Sequence, residues 1–134
     1  MPRLSLRFWV TVTGSGAALL GTFLPWLRTG DRERTSYELS SIARRLHVAS
    51  STGERVVIAV WPVVPFCVLG ATVLLVMRCS LGARVFGLAV SGYVGAVALI
   101  VWRTPLDTRF GVPFTMVGVA LFGLGAVIRE RGAA

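Results

Sequence analysis

The chain of 134 residues has no lysine, a single histidine and two cysteines. Each shortage removes a class of chemistry. His47 has no Cys, His or acidic companion at ligand spacing, so it reads as a helix-end residue and no metal site is expected. Cys67 lies in the middle of the apolar run Val56 to Met77 and Cys79 just past its end, twelve positions on, about 18 Å if helical, which is too far for a bridge. Paired-Cys redox motifs, a nucleophile with a histidine base and a phosphate-cradling loop are all missing. The chain is therefore read as non-enzymatic, with no catalytic residue, cofactor or metal.

A more telling shortage lies in Phe8 to Leu27, Val56 to Met77, Val85 to Trp102 and Pro113 to Ile128, none of which contains Asp, Glu, His, Lys or Arg. At about 1.5 Å rise per residue, runs of roughly 16 to 22 residues approach or exceed a hydrocarbon layer about 30 Å thick. The expected fold is all-α: one integral membrane domain over residues 1–134, a four-helix bundle with spans at about 8–27, 56–77, 85–102 and 113–128. A mean hydropathy of +0.74 agrees. The first run is too long for the apolar core of a signal peptide, so it reads as an uncleaved span. Carriers coupled to protons or ions need titratable groups inside the membrane, and these spans offer none. The acidic residue that small drug exporters hold in their first helix has no counterpart between Phe8 and Leu27.

All 14 basic residues are Arg, and the net charge is +8. Because the arginines flank the spans, anionic lipid headgroups are the expected counter-charge, and nucleic acid is not expected. Arg28 to Arg55 is the one long connection. Asp31, Glu33 and Glu38 alternate there with Arg28, Arg32 and Arg34, the pattern of a solvated, self-neutralising loop. Within it, Thr35 and Glu38 hold the S/T-x-x-E relation of a capping box. Leu39, Ile42, Ala43 and Leu46 follow at i, i+3, i+4 and i+7, which predicts an amphipathic helix over about 36–47 with one apolar face. It reads as a lid on the bundle or on the membrane surface, with Arg44 and Arg45 free to meet a lipid headgroup or a partner.

Four crossings put both termini on one side. That side is read as cytoplasmic, in a bacterial plasma membrane: the arginines, six on it and eight opposite, do not support this, and the reading rests on five of the six acids falling on the other side. Trp26, Trp61 and Trp102 are expected at one interface and Trp9 at the opposite one, since indole settles at headgroup depth.

Lipid tails are as apolar as leucine, so helices in a bilayer gain little by burial and associate through close van der Waals contact. Small residues at regular spacing supply that. Ala17 and Gly21 form such a seam in the first span, preceded by Gly14 and Gly16; Gly87, Ser91 and Gly95 form one in the third, with Gly92 and Ala96 beside them. Ala59, Val63, Cys67 and Ala71 share a face of the second, and Thr115, Gly118 and Gly125 mark the fourth. Pro62 and Pro65 remove two backbone donors and should kink the second span.

Leu24-Pro25-Trp26-Leu27, the segment Arg34-Thr35-Ser36-Tyr37-Glu38-Leu39 with Arg44-Arg45-Leu46, and Trp61-Pro62-Val63-Val64-Pro65 resemble small four-span membrane proteins of high-GC actinobacteria. That likeness covers the first half of the chain and implies layout, with no activity attached. The layout is also similar to that of claudin-like proteins, whose loop signature of Trp followed by a Cys pair is missing. The expected function is that of an accessory or scaffold subunit of a larger complex in envelope or transport machinery. The alternative is a small oligomeric lipid or solute translocator working through backbone groups near Pro62 and Pro65.

Overall fold

The computed structural model describes residues 5–77, 81–105 and 107–128 and is mostly helical. Helix α1 (Leu6–Phe23) starts where the Ser5 hydroxyl accepts the Phe8 N–H at 3.3 Å. It ends before Pro25, because a residue preceding proline is pushed out of the helical region, and Leu24 is extended at φ −72°, ψ 158°. The apolar run of Phe8 to Leu27 is therefore not one helix. Its last residues enter β1 (Pro25–Thr29), which pairs antiparallel with β2 (Arg32–Thr35).

This hairpin corrects the reading of a plain solvated loop. Gly30, at φ +62°, takes the first central position of the two-residue turn, where the left-handed backbone favours glycine. The connection between the last two helices then stitches onto β1: Arg28 N–H donates to the Asp107 carbonyl at 3.1 Å, and Arg109 N–H to that of Trp26 at 2.8 Å. Of the alternating charges, Glu33 meets Arg109 at 3.8 Å and Asp31 meets Arg28 at 4.0 Å.

Helix α2 (Ser36–Arg45) begins in a capping box. The Thr35 hydroxyl accepts the Glu38 N–H at 3.4 Å, and the Glu38 carboxylate accepts the Thr35 N–H at 3.1 Å. His47 closes it in a left-handed conformation, φ +50°, so that its N–H reaches the Arg44 carbonyl and that of Val48 reaches Ala43. These are the paired bonds of a Schellman motif, in a position usually held by glycine. Leu46 lies beyond the helix and is exposed.

Helix α3 (Thr52–Val60), a 3-10 turn (Trp61–Val63) and α4 (Val64–Val76) form one continuous rod. Neither Pro62 nor Pro65 has an N–H, and the rod tightens locally so that the Val64 N–H bonds the Trp61 carbonyl. The inward face is Trp61, Val64, Val68, Ala71 and Leu75, whereas Ala59 and Val63, read as part of a small-residue face, are exposed. Helices α5 (Leu81–Arg103) and α6 (Gly111–Val127) complete the fold.

Among the described residues two helices, not four, have the length and apolarity of a membrane-crossing element: Thr52–Val76 with 25 residues and Leu81–Arg103 with 23. Helix α6 has 17 residues. Helix α1 has 18 but carries Arg7 and a row of Thr, Ser and Gly that dilutes its apolar character.

Those two weaker helices are the closest pair in the molecule, running antiparallel with Thr11 opposite Gly125, Gly14 opposite Phe122, Ala18 opposite Gly118 and Gly21 opposite Thr115. A Cβ on Gly118 would fall 2.7 Å from backbone atoms of both Ala17 and Ala18. Glycine is required there by the approach of two backbones. Ala18 is buried and Ala17 only half-buried, so the α1 seam sits one residue later than the Ala17–Gly21 spacing suggests. The α5 seam is looser. A Cβ on Gly87 would meet the flexible end of Leu75 at 3.0 Å, and one on Gly95 would lie 3.4 Å from Val119. Ser91 donates its hydroxyl to the Val119 carbonyl at 2.7 Å, tying α5 to α6. Gly92 and Ala96 face outward. Cys79, and Arg3, Arg78, Arg129, Glu130 and Arg131, which bear on orientation, lie outside the described residues.

Candidate functional site

The end of the bundle beneath α2 is organised around two indoles whose sequence pattern suggests a membrane interface. Both are instead buried, Trp26 at 1% exposure and Trp61 at 3%. Trp26 follows the proline that ends α1, and the chain folds back so that its Nε1–H donates to the Gly21 carbonyl at 2.9 Å. The indole thereby gives a last-turn carbonyl a second, shorter bond beside the 3.3 Å one from the Leu24 N–H. Trp61 sits in the 3-10 turn, edge-on to Trp26 with centroids 5.5 Å apart and 6.1 Å from Tyr93. The Tyr93 hydroxyl donates to the Val57 carbonyl at 2.7 Å, joining α5 to α3. Trp61 Nε1 is buried without a hydrogen-bond partner. Trp9 and Trp102 are exposed, at 55% and 48%.

Helix α2 is pinned over this end. Ser36 donates its hydroxyl to the Thr22 carbonyl at 2.6 Å, and the Tyr37 hydroxyl lies 3.0 Å from that of Thr22. The Tyr37 and Phe23 rings stack obliquely at 5.0 Å. Burial pushes the Tyr37 phenol above its ordinary pKa, an effect the Thr22 hydrogen bond partly counters.

Between α2, α3 and α5 a cavity of about 180 Å³ remains, lined by Trp26, Ser36, Leu39, Ser40, Ala43, Val57, Ile58, Trp61, Val97 and Val101. Its wall is almost wholly apolar. Beside it lies a second cavity of about 280 Å³, sharing Ala43 and Ile58 and adding Arg44, His47, Ala49 and Arg55. An apolar cleft thus adjoins one bearing two guanidiniums and an imidazole.

Of the two arginines singled out on the loop helix, Arg44 lines the basic cavity; Arg45, also exposed, does not. Arg55, which the apolar and charge patterning does not single out, takes its place. A signal for it exists: Ser51 and Glu54 form a second S-x-x-E pair, with the Ser51 hydroxyl accepting the Glu54 N–H at 3.2 Å, so Arg55 falls in the first turn of a new helix. The small residues Gly21, Gly87, Ser91, Gly95 and Gly118 lie at helix contacts away from this cleft. No cluster of three His, Cys, Asp or Glu side chains occurs among the described residues. The arrangement offers shape, apolar surface and positive charge, which suit binding. Comparison with family models, with characterised proteins and with solved structures found no match.

Proposed function

We propose that the chain is a multi-pass protein of a bacterial plasma membrane and acts as a non-catalytic accessory or scaffold subunit within a larger membrane assembly. The supporting observation is its outer surface. Only 22% of each long apolar segment is buried, and Phe66, Leu69 and Val73 on α4, with Val85, Leu99 and Ile100 on α5, point away from the core. Apolar area on that scale needs lipid or another apolar surface against it. In this reading α1 and α6, each about 26 Å long at ~1.5 Å per residue, cross as a glycine-zipped pair beside the two longer segments. Their small and hydroxylated residues face each other and spare the lipid. Both termini are cytoplasmic, and α2 with the hairpin caps the external end.

Quantitative crosslinking in native membranes tests the assembly. The expected result is a complex larger than any homo-oligomer of this chain, weakened by Arg44→Ala with Arg45→Ala while insertion is unchanged. Only homo-oligomers, together with solute flux by purified protein in liposomes, would replace this reading with the small translocator, which the 3-10 break at Trp61–Val63 favours. Orientation is tested by single cysteines at Ser50 and Ser80 in a Cys67- and Cys79-free background. An impermeant thiol reagent should label Ser50→Cys and not Ser80→Cys in intact cells; the reverse pattern would invert the topology.

A further inference from the structure

We infer that the paired cavities under α2 hold one anionic membrane lipid, with part of an acyl chain in the apolar cleft and its phosphate between Arg44 and Arg55. The inference rests on the membrane reading above and deepens it. Three observations converge. First, the apolar cleft, about 180 Å³ and open on one side, is comparable in volume to an enclosed engineered cavity of roughly 150 Å³ that takes up a hydrophobic guest. A stretch of methylene chain fits there, whereas the whole lipid does not, so the rest must lie outside.

Second, the way out is charged. The adjoining cavity carries Arg44, His47 and Arg55, no acidic side chain among the described residues lines it, and it shares Ala43 and Ile58 with the apolar one. An amphiphile entering by its tail is left with its headgroup among these cations. A guanidinium offers a phosphate two parallel donors, which favours a phosphodiester of net negative charge over one whose own ammonium competes. Arg44 also lies in the last turn of α2 and Arg55 in the first turn of α3, so the two approach the headgroup from different elements.

Third, the wall of the apolar cleft buries a donor that is unmet among the described residues. Trp61 lines it, is 3% exposed, and its Nε1–H has no partner. A buried indole N–H normally finds one. The ester carbonyls of a glycerolipid, which sit between headgroup and chain, would supply an acceptor once the Trp61 ring turned its covered N–H toward the cleft. Free phosphate or a soluble anion would satisfy the arginines and leave both the cleft and the indole unserved.

The test uses the full chain with Trp9→Phe and Trp102→Phe, which removes the two exposed indoles and leaves Trp26 and Trp61, both lining the cleft. It is reconstituted in phosphatidylcholine nanodiscs doped with a minor fraction of either phosphatidylglycerol or phosphatidylcholine brominated on the acyl chain. Bromine quenches indole fluorescence only at contact. Half-maximal quenching is expected at a mole fraction of brominated phosphatidylglycerol lower than that of the phosphatidylcholine probe by on the order of tenfold, the scale of two arginines near an anionic headgroup. Unbrominated phosphatidylglycerol should restore the emission. Arg44→Gln with Arg55→Gln, both at the exposed surface, should erase the preference. Val97→Phe, which fills the cleft, should suppress quenching by both probes with the helical circular dichroism unchanged. Equal quenching by the two probes in the parent protein, or a preference that survives the arginine changes, would overturn the lipid site while leaving the membrane reading in place. Failure of the chain to enter the nanodisc bilayer would overturn both.

Discussion

The contact between α1 and α6 makes an unusually sharp mutational test, because glycines of opposite consequence occur in one molecule. At Gly118 a methyl group would sit 2.7 Å from the backbone of Ala17 and Ala18, nearly 1 Å inside ordinary contact, and backbone cannot rotate away as a side chain can. Gly118→Ala must therefore push the helices apart or bend one. Overpacking of that kind costs up to about 3 kcal/mol, and replacing a mid-helix glycine by alanine returns about 1 kcal/mol, so a net loss of about 2 kcal/mol is expected. Gly92 and Gly70 also lie in helices, but a methyl group added at either would have nothing within 4 Å. At those sites only the propensity gain remains, and Gly92→Ala or Gly70→Ala should stabilise by roughly 0.5–1 kcal/mol. Thermal unfolding of the purified proteins in one detergent, followed by circular dichroism, separates the cases. Gly118→Ala should melt roughly 8 °C lower than the parent, with the other two at or above it. Equal melting of Gly118→Ala and Gly92→Ala would refute the close α1–α6 approach.

Other consequences are as direct. Trp26→Phe removes both ring volume and the donor to the Gly21 carbonyl, and should cost about 2–3 kcal/mol in the same melting experiment. His47→Gly should stabilise by as much as ~1 kcal/mol, since glycine adopts the left-handed helix end freely; a lower melting temperature would count against the Schellman closure. The raised Tyr37 phenol stabilises the fold while it remains protonated. That stabilisation is intact below the ordinary tyrosine value of about 10 and is lost as pH rises through the higher folded value. A Tyr37→Phe protein should show a shallower alkaline loss of stability, and identical pH profiles would contradict the linkage.

Much of the helical content is legible in the chain because apolar runs and capping residues are local signals. The Thr35 and Glu38 spacing marks the start of α2 without reference to anything distant. Features that depend on remote partners are less accessible. Trp26 and Trp61 carry the composition of interface anchors, yet a proline-directed reversal after α1 and a 3-10 turn after α3 bring them edge to edge in the interior. A strict four-residue spacing drifts about 40° per step around a helix of 3.6 residues per turn, which is why Ala59 and Val63 leave the inward face that Ala71 keeps. The hairpin has its own signal in Thr29-Gly30-Asp31-Arg32, a glycine-led turn between short extended segments. The charge alternation around it masks that signal. The cleft has no linear signature at all, since its walls come from α2, α3 and α5 and only folding assembles them.

The zipper between α1 and α6 also sets an order of events during synthesis. Helix α1 leaves the ribosome first of the described helices, but the glycines that accept its backbone lie in α6, about a hundred residues later. Until then the face bearing Thr11, Gly14, Ala18 and Gly21 has no mate, and the bundle stays open along one side. Contacts of such long sequence separation form slowly and late. An interruption of translation anywhere before Gly111 would strand a fragment with a glycine-lined surface exposed, a surface that the finished fold covers.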